Sequence, residues 1–172
     1  MHPEPSLFIF AELDDKFSLN DLQFDRFSDD GLMVNQAKYQ GLELIELILS
    51  GMTFVIAHQR TGENIADRSR RGFEYIFCAP ETGNLPNISI SLSENLLHGK
   101  DVPAVHQINF KLGQIIGEMV KAKAVAWMPA RKIFGYEFFT DMVDQHQADG
   151  LSPASIHIAI SDDAFGSRTA SG

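Results

Sequence analysis

Apolar positions along the chain fall into two spacings, one of strands and one of helices. Leu7, Phe8, Ile9 and Phe10 are consecutive and apolar, so residues 6–13 predict a strand covered on both faces. Ser18, with Asp21 three positions on, predicts the start of a short helix over 19–27. Ser28-Asp29-Asp30-Gly31 marks a turn, and residues 32–34 predict a short second strand. Residues 41–52 fit two patterns. Glu43, Glu46 and Ser50 recur at helical spacing beside a broad apolar side. The rival is a hairpin turning at Ser50-Gly51. The helix is favoured, because Glu43 and Glu46 would fall on opposite faces of a strand. Residues 53–57 then read as a buried strand.

The second half is more regular. Phe73, Tyr75 and Phe77 alternate with Glu74 and Ile76 as a strand. Ile88, Ile90 and Leu92 alternate with Ser89 and Ser91, the pattern of a sheet wet on one side. Asp101 and Pro103 open a long helix, with Asp101 as a carboxylate cap. Its apolar positions recur at i, i+3 and i+4 from Val105 to Val120. Gly113 and Gly117, four apart on that helix, predict a close approach by another element. Residues 124–128 form a short strand stopped by Pro129, which could pair in parallel across the long helix. A helix follows over 136–147, and Ile156, Ile158 and Ile160 alternate as a last strand. The expected fold is α+β (or α/β), a single mixed β-sheet with helices packed on it. Residues 1–164 are read as one domain and 165–172 as a loose tail rich in Ser, Gly, Thr and Ala.

Composition changes the picture in what it excludes. The formal net charge of −9 repels nucleic acid and anionic membranes, so neither is an expected partner. No signal-peptide pattern opens the chain and no apolar run approaches a spanning length, so a soluble cytoplasmic protein is expected. The one cysteine, Cys78, has no intramolecular partner for a disulfide. Phosphate loops, nucleophile elbows, zinc-helix motifs and paired-cysteine motifs are all missing, so no cofactor is expected and no catalytic residue is assigned.

Several polar groups remain as candidates. His98 and His106 flank the start of the long helix and could meet Glu94 or Asp101 around a metal, but the spacing fits no known site and none is assigned. His157 precedes Asp162 and Asp163 and reads as a surface residue. Cys78 would be a nucleophile only beside a group that lowers its pKa, such as His58 at the end of another strand, and reads better as a structural thiol. Arg60, Arg68, Arg70 and Arg71 form a local positive patch suited to carboxylate or phosphate, or else pair with Glu63, Asp67 and Glu74. Trp127 either lines a pocket or packs in the core. Glu137, Asp141 and Asp144 share a helical face and read as solvated.

The opening strand SLFIFAEL and the late block AVAWMPARKIFGYEFF together resemble an uncharacterised family of bacterial α/β proteins of unknown function. The resemblance covers about a third of the chain. It implies a fold and brings no catalytic residues with it.

The favoured function is non-enzymatic association, with a second copy or another protein as partner. Thirteen Phe residues exceed what a small core obviously needs, and aromatics are enriched at interfaces. Charge is also segregated: Glu12 to Asp30 carries seven acids against Lys16 and Arg26, whereas Arg60 to Arg71 is net basic. The alternative is a small-molecule-binding protein or hydrolytic enzyme whose pocket gathers His58, Cys78, Arg68, Arg70, Arg71 and Trp127.

Overall fold

A computed structural model describes residues 4–39, 42–59 and 72–149 of the 172. The described residues form eight strands: β1 (Pro5–Phe10), β2 (Met33–Tyr39), β3 (Leu42–Leu49), β4 (Met52–Gln59), β5 (Glu74–Ile76), β6 (Asn87–Leu92), β7 (Ala124–Trp127) and β8 (Lys132–Gly135). They also form two α-helices, α1 (Pro103–Val120) and α2 (Tyr136–Asp149). The strands make one sheet in the order β2-β3-β4-β6-β1-β7-β8-β5. Neighbours run antiparallel except β5 on β8, so the sheet is mixed and the α+β expectation holds.

Strand alternation divides the side chains between two faces. Leu7 and Ile9, Phe54 and Ile56, Ile88 and Ile90, and Val125 and Trp127 share one buried cluster with Val105, Phe110, Leu112 and Ile116 of α1. Phe139, Met142 and Val143 of α2 complete it, so both helices lie on this face. Two 3₁₀ turns, Leu19–Asp21 and Phe24–Asp30, add Leu19 and Phe24 to the same cover. Each such large apolar side chain contributes roughly 1.5–3 kcal/mol when fully buried. The opposite face carries a smaller cluster of Phe8, Phe10, Ala124, Ala126 and Ile133, against which Tyr75, Cys78 and Leu85 pack.

The glycine spacing on α1 has the consequence the sequence suggests. A methyl at Gly113 would stand 2.6 Å from Leu7 Cδ2 and 3.2 Å from Phe139 Cζ. At Gly117 it would stand 2.9 Å from Tyr136 Cζ, so α1 and α2 touch through these two positions. The Ser18 capping box is also present, with Asn20 N–H donating to Ser18 Oγ and Ser18 N–H donating to the Asp21 carboxylate.

Several expectations are corrected. The helix expected over 41–52 is not what residues 42–52 form: 42–49 are β3, and Ser50 and Gly51 make the hairpin turn to β4. Both turn residues have positive φ, 53° and 75°, as the tight turns that match strand twist require. The alternation was masked because Leu44 and Ile48 occupy the less buried face, leaving only Glu46 polar beside them. Glu46 lies on the less buried face and accepts from Asn35 Nδ2 of β2. The 19–27 helix is instead the pair of 3₁₀ turns, closed by Gly31 at φ 80°. β6 is buried on both faces, Ser89 and Ser91 included, because it is a central strand. β7 pairs antiparallel with both β1 and β8, not in parallel. Val102, not Asp101, is the N-cap of α1 and makes no side-chain cap. β8 was not expected; Arg131 at φ 51° turns the chain back at once. The 156–160 strand and the 165–172 tail lie outside the described residues.

Candidate functional site

His58, on β4, shares the helix-covered face and meets the Phe17 ring edge-on at 4.9 Å. Cys78 follows β5 and packs into the cluster on the opposite face. Four strands lie between β4 and β5, at about 4.8 Å per step. The two residues are therefore not brought together. Burial pushes the Cys78 thiol up, and its Sγ–H donates to the Ile133 carbonyl at 3.4 Å, the setting of a structural thiol. Trp127 is 1% exposed and packs edge-on against Phe110 at 4.7 Å and His106 at 5.2 Å. Arg60, Arg68, Arg70 and Arg71 lie outside the described residues, as does His157.

His106 is occupied, its Nε2 donating to the Lys100 carbonyl, while His98 stands exposed. Among the described residues no three His, Cys, Asp or Glu groups are placed to share one ion. Asp144 accepts from Gln114 Nε2 at 2.6 Å and helps join α1 to α2, whereas Glu137 and Asp141 are exposed. The phenylalanines are mostly core: Phe8, Phe10, Phe24, Phe54, Phe110, Phe134 and Phe139 are buried. No helix of the described residues is long and apolar enough to cross a membrane.

Two surface features stand out instead. The first is the outer edge of β2. This strand pairs only with β3, in unbroken register from Met33 opposite Ile48 to Tyr39 opposite Leu42. Its far side presents backbone N–H and C=O groups with no strand against them among the described residues. Met33 and Val34 beside it are 59% and 41% exposed. The strand has no proline and no bulge, and Lys38 is its one charge. The other edge, β5, is only three residues long.

The second is a hollow of about 680 Å³ at the other end of the sheet. Phe77, Lys121, Lys123, Gly135, Tyr136 and Phe138 line it, together with Glu137 and Asp141. Phe77 is 78% exposed and sits at φ 54°, a backbone region that non-glycine residues rarely occupy. Tyr136 anchors the wall, its hydroxyl donating to the Gln114 carbonyl at 2.8 Å. Burial chiefly, with the charges of Glu118 and Asp144 adding and the Thr140 contact opposing, pushes the Tyr136 phenol up to about 12. An unfolded phenol titrates near 10. The stabilisation tied to neutral Tyr136 is therefore intact below about pH 10 and is lost as pH rises from there to about 12. Tyr136→Phe removes that ionisation. Its urea midpoint is expected to fall less than that of the parent between pH 9, which lies below the window, and pH 11.5, which lies inside it. Equal losses in the two proteins would refute the assignment.

Neither feature was found from sequence. In the sequence β2 shows only as a fragment, because Asn35, Gln36 and Lys38 break its apolar run. Phe77 alternates correctly with Phe73 and Tyr75, and nothing in the sequence marks its backbone as left-handed. No family model, no curated protein and no solved structure matches the chain, so the functional reading rests on these two features.

Proposed function

We propose that the chain is a non-enzymatic association domain whose partner is a second copy of itself, joined edge to edge through β2. The observation that carries this reading is the regular edge of β2, which has no strand against it among the described residues and carries the exposed Met33 and Val34. An edge strand is a template for another strand, and proteins usually block such edges with charge, proline or a bulge. Along β2 itself, Lys38 is the one charge, and no proline or bulge interrupts the strand.

Charge favours an antiparallel pair. Asp25, Asp29 and Asp30 precede β2, and Lys38 lies near its end. A two-fold axis beside Gln36 puts each Lys38 position opposite Val34, at the end of the pair where the other copy's acidic segment precedes its β2. A parallel pair would align lysine with lysine. Main-chain hydrogen bonds supply the recognition and the exposed apolar pair adds burial.

Light scattering coupled to size exclusion is expected to give a dimer mass at micromolar concentration. The double variant Met33→Lys/Val34→Lys sets like charges on the shared edge and should weaken the dimer at least about tenfold. Its melting curve, extrapolated to the monomer, should stay close to that of the parent, since both positions are exposed. A monomeric parent, or a dimer indifferent to the variant, would rule the reading out.

A further inference from the structure

We propose that the hollow between Phe77 and the start of α2 binds a small planar aromatic carboxylate, its ring against Phe77 and Phe138 and its carboxylate on Lys121 and Lys123. The inference is independent of the β2 edge, which lies at the opposite end of the sheet.

Phe77 is costly twice over. The residue is 78% exposed to water, and its φ of 54° crowds the side chain against its own carbonyl. The fold enforces this geometry. The Phe77 carbonyl lies directly over Gly135, where a side chain would have no room. The Cys78 thiol then bonds to Ile133 one residue on. The exposed ring is not isolated. It meets Phe138 at 4.9 Å, and Phe138 stacks on the buried Phe134 at 5.9 Å and 30°. The three rings form a ladder leading from the core to the mouth of the hollow, with the outermost ring open for one more.

The lysines supply the charge. Lys121 and Lys123 are exposed and make no ion pair among the described residues, in a chain of net charge −9. Their backbones are fixed. Lys121 caps α1 in the left-handed region, and Lys123 donates to the Phe10 carbonyl and accepts from Tyr136 N–H. Glu137 and Asp141 also line the hollow. Their negative charge repels a doubly charged phosphate more than a single carboxylate. The volume is in the range of roughly 300–1,000 Å³ common for small-molecule sites.

The test titrates 2-naphthoate and neutral 2-naphthol into the full chain, followed by amide NMR shifts. Naphthoate is expected to bind saturably, shifting amides around Phe77, Lys123 and Phe138, and 2-naphthol at least about tenfold more weakly. Lys121→Gln/Lys123→Gln should weaken naphthoate about tenfold and leave naphthol unchanged. Phe77→Gly should lose both ligands while its melting temperature holds or rises, because glycine is at home at this φ. A purely structural ring would show the reverse, a lower melting temperature. That result, equal affinity for naphthol, or no saturable binding would each overturn the proposal.

Discussion

Replacing Trp127 with alanine is expected to lower the free energy of unfolding by about 3–5 kcal/mol, a large share of the roughly 5–15 kcal/mol of a typical domain. Trp127 is 1% exposed and its ring is the largest of the fully buried side chains. It projects from β7 to the helix-covered face and closes the sheet against the first turns of α1 through His106 and Phe110. Truncation would leave a cavity that these two rings could fill only by abandoning their own contacts. Phe110 in turn packs edge-on against Phe139 of α2, so the gap would reach the second helix. Trp127→Phe separates shape from chemistry. The indole Nε1 is buried without an acceptor, so phenylalanine removes an unsatisfied donor along with part of the volume. Its cost should stay below about 1.5 kcal/mol. Urea unfolding followed by far-UV circular dichroism measures both, since each variant lacks the only tryptophan. Equal costs for alanine and phenylalanine would show that the ring is not packed as described.

The same residue shows how far the sequence could be read. Trp127 sits in an apolar run of strand character, and core packing was the simpler of its two readings. α1 was legible because Val105, Leu112 and Ile116 recur at helical spacing over eighteen residues with proline at the start. β3 was not. Its glutamates suit both a helix face and two sides of a strand, and only pairing with β2 and β4 decides between them. Central strands mislead in another way. Ser89 and Ser91 look like a solvated face, yet they are buried, which the chain order does not reveal. The association reading drew on the phenylalanine excess, most of which turns out to be core. The β2 edge and the Phe77 hollow both arise where segments distant in sequence come together. Strand order sets the first. A left-handed residue opposite a glycine fifty-eight positions away sets the second, and neither has a local signature.

That glycine yields the other large effect. Gly135→Ala is expected to cost about 2–3 kcal/mol and to release β5 from the sheet. The new methyl would collide with the Phe77 carbonyl oxygen and come within 3.1 Å of its carbon. These are backbone atoms, so no side-chain rotation relieves the overlap. β5 is the weak element: three residues, paired in parallel with β8 alone, its outer side carrying no strand among the described residues. Moving Phe77 away therefore breaks the Glu74–Lys132 to Ile76–Phe134 ladder before it disturbs the antiparallel centre. Hydrogen exchange should accelerate at amides of 74–78 while those of β1 and β6 keep their protection. Gly113→Ala is the comparison. Its methyl meets the far end of Leu7 and the edge of Phe139, which can shift, and alanine adds about 1 kcal/mol of helix propensity to α1. It should cost clearly less and leave β5 protected. If Gly135→Ala matched it in stability and in exchange, the close seating of Phe77 on β8 would be disproved.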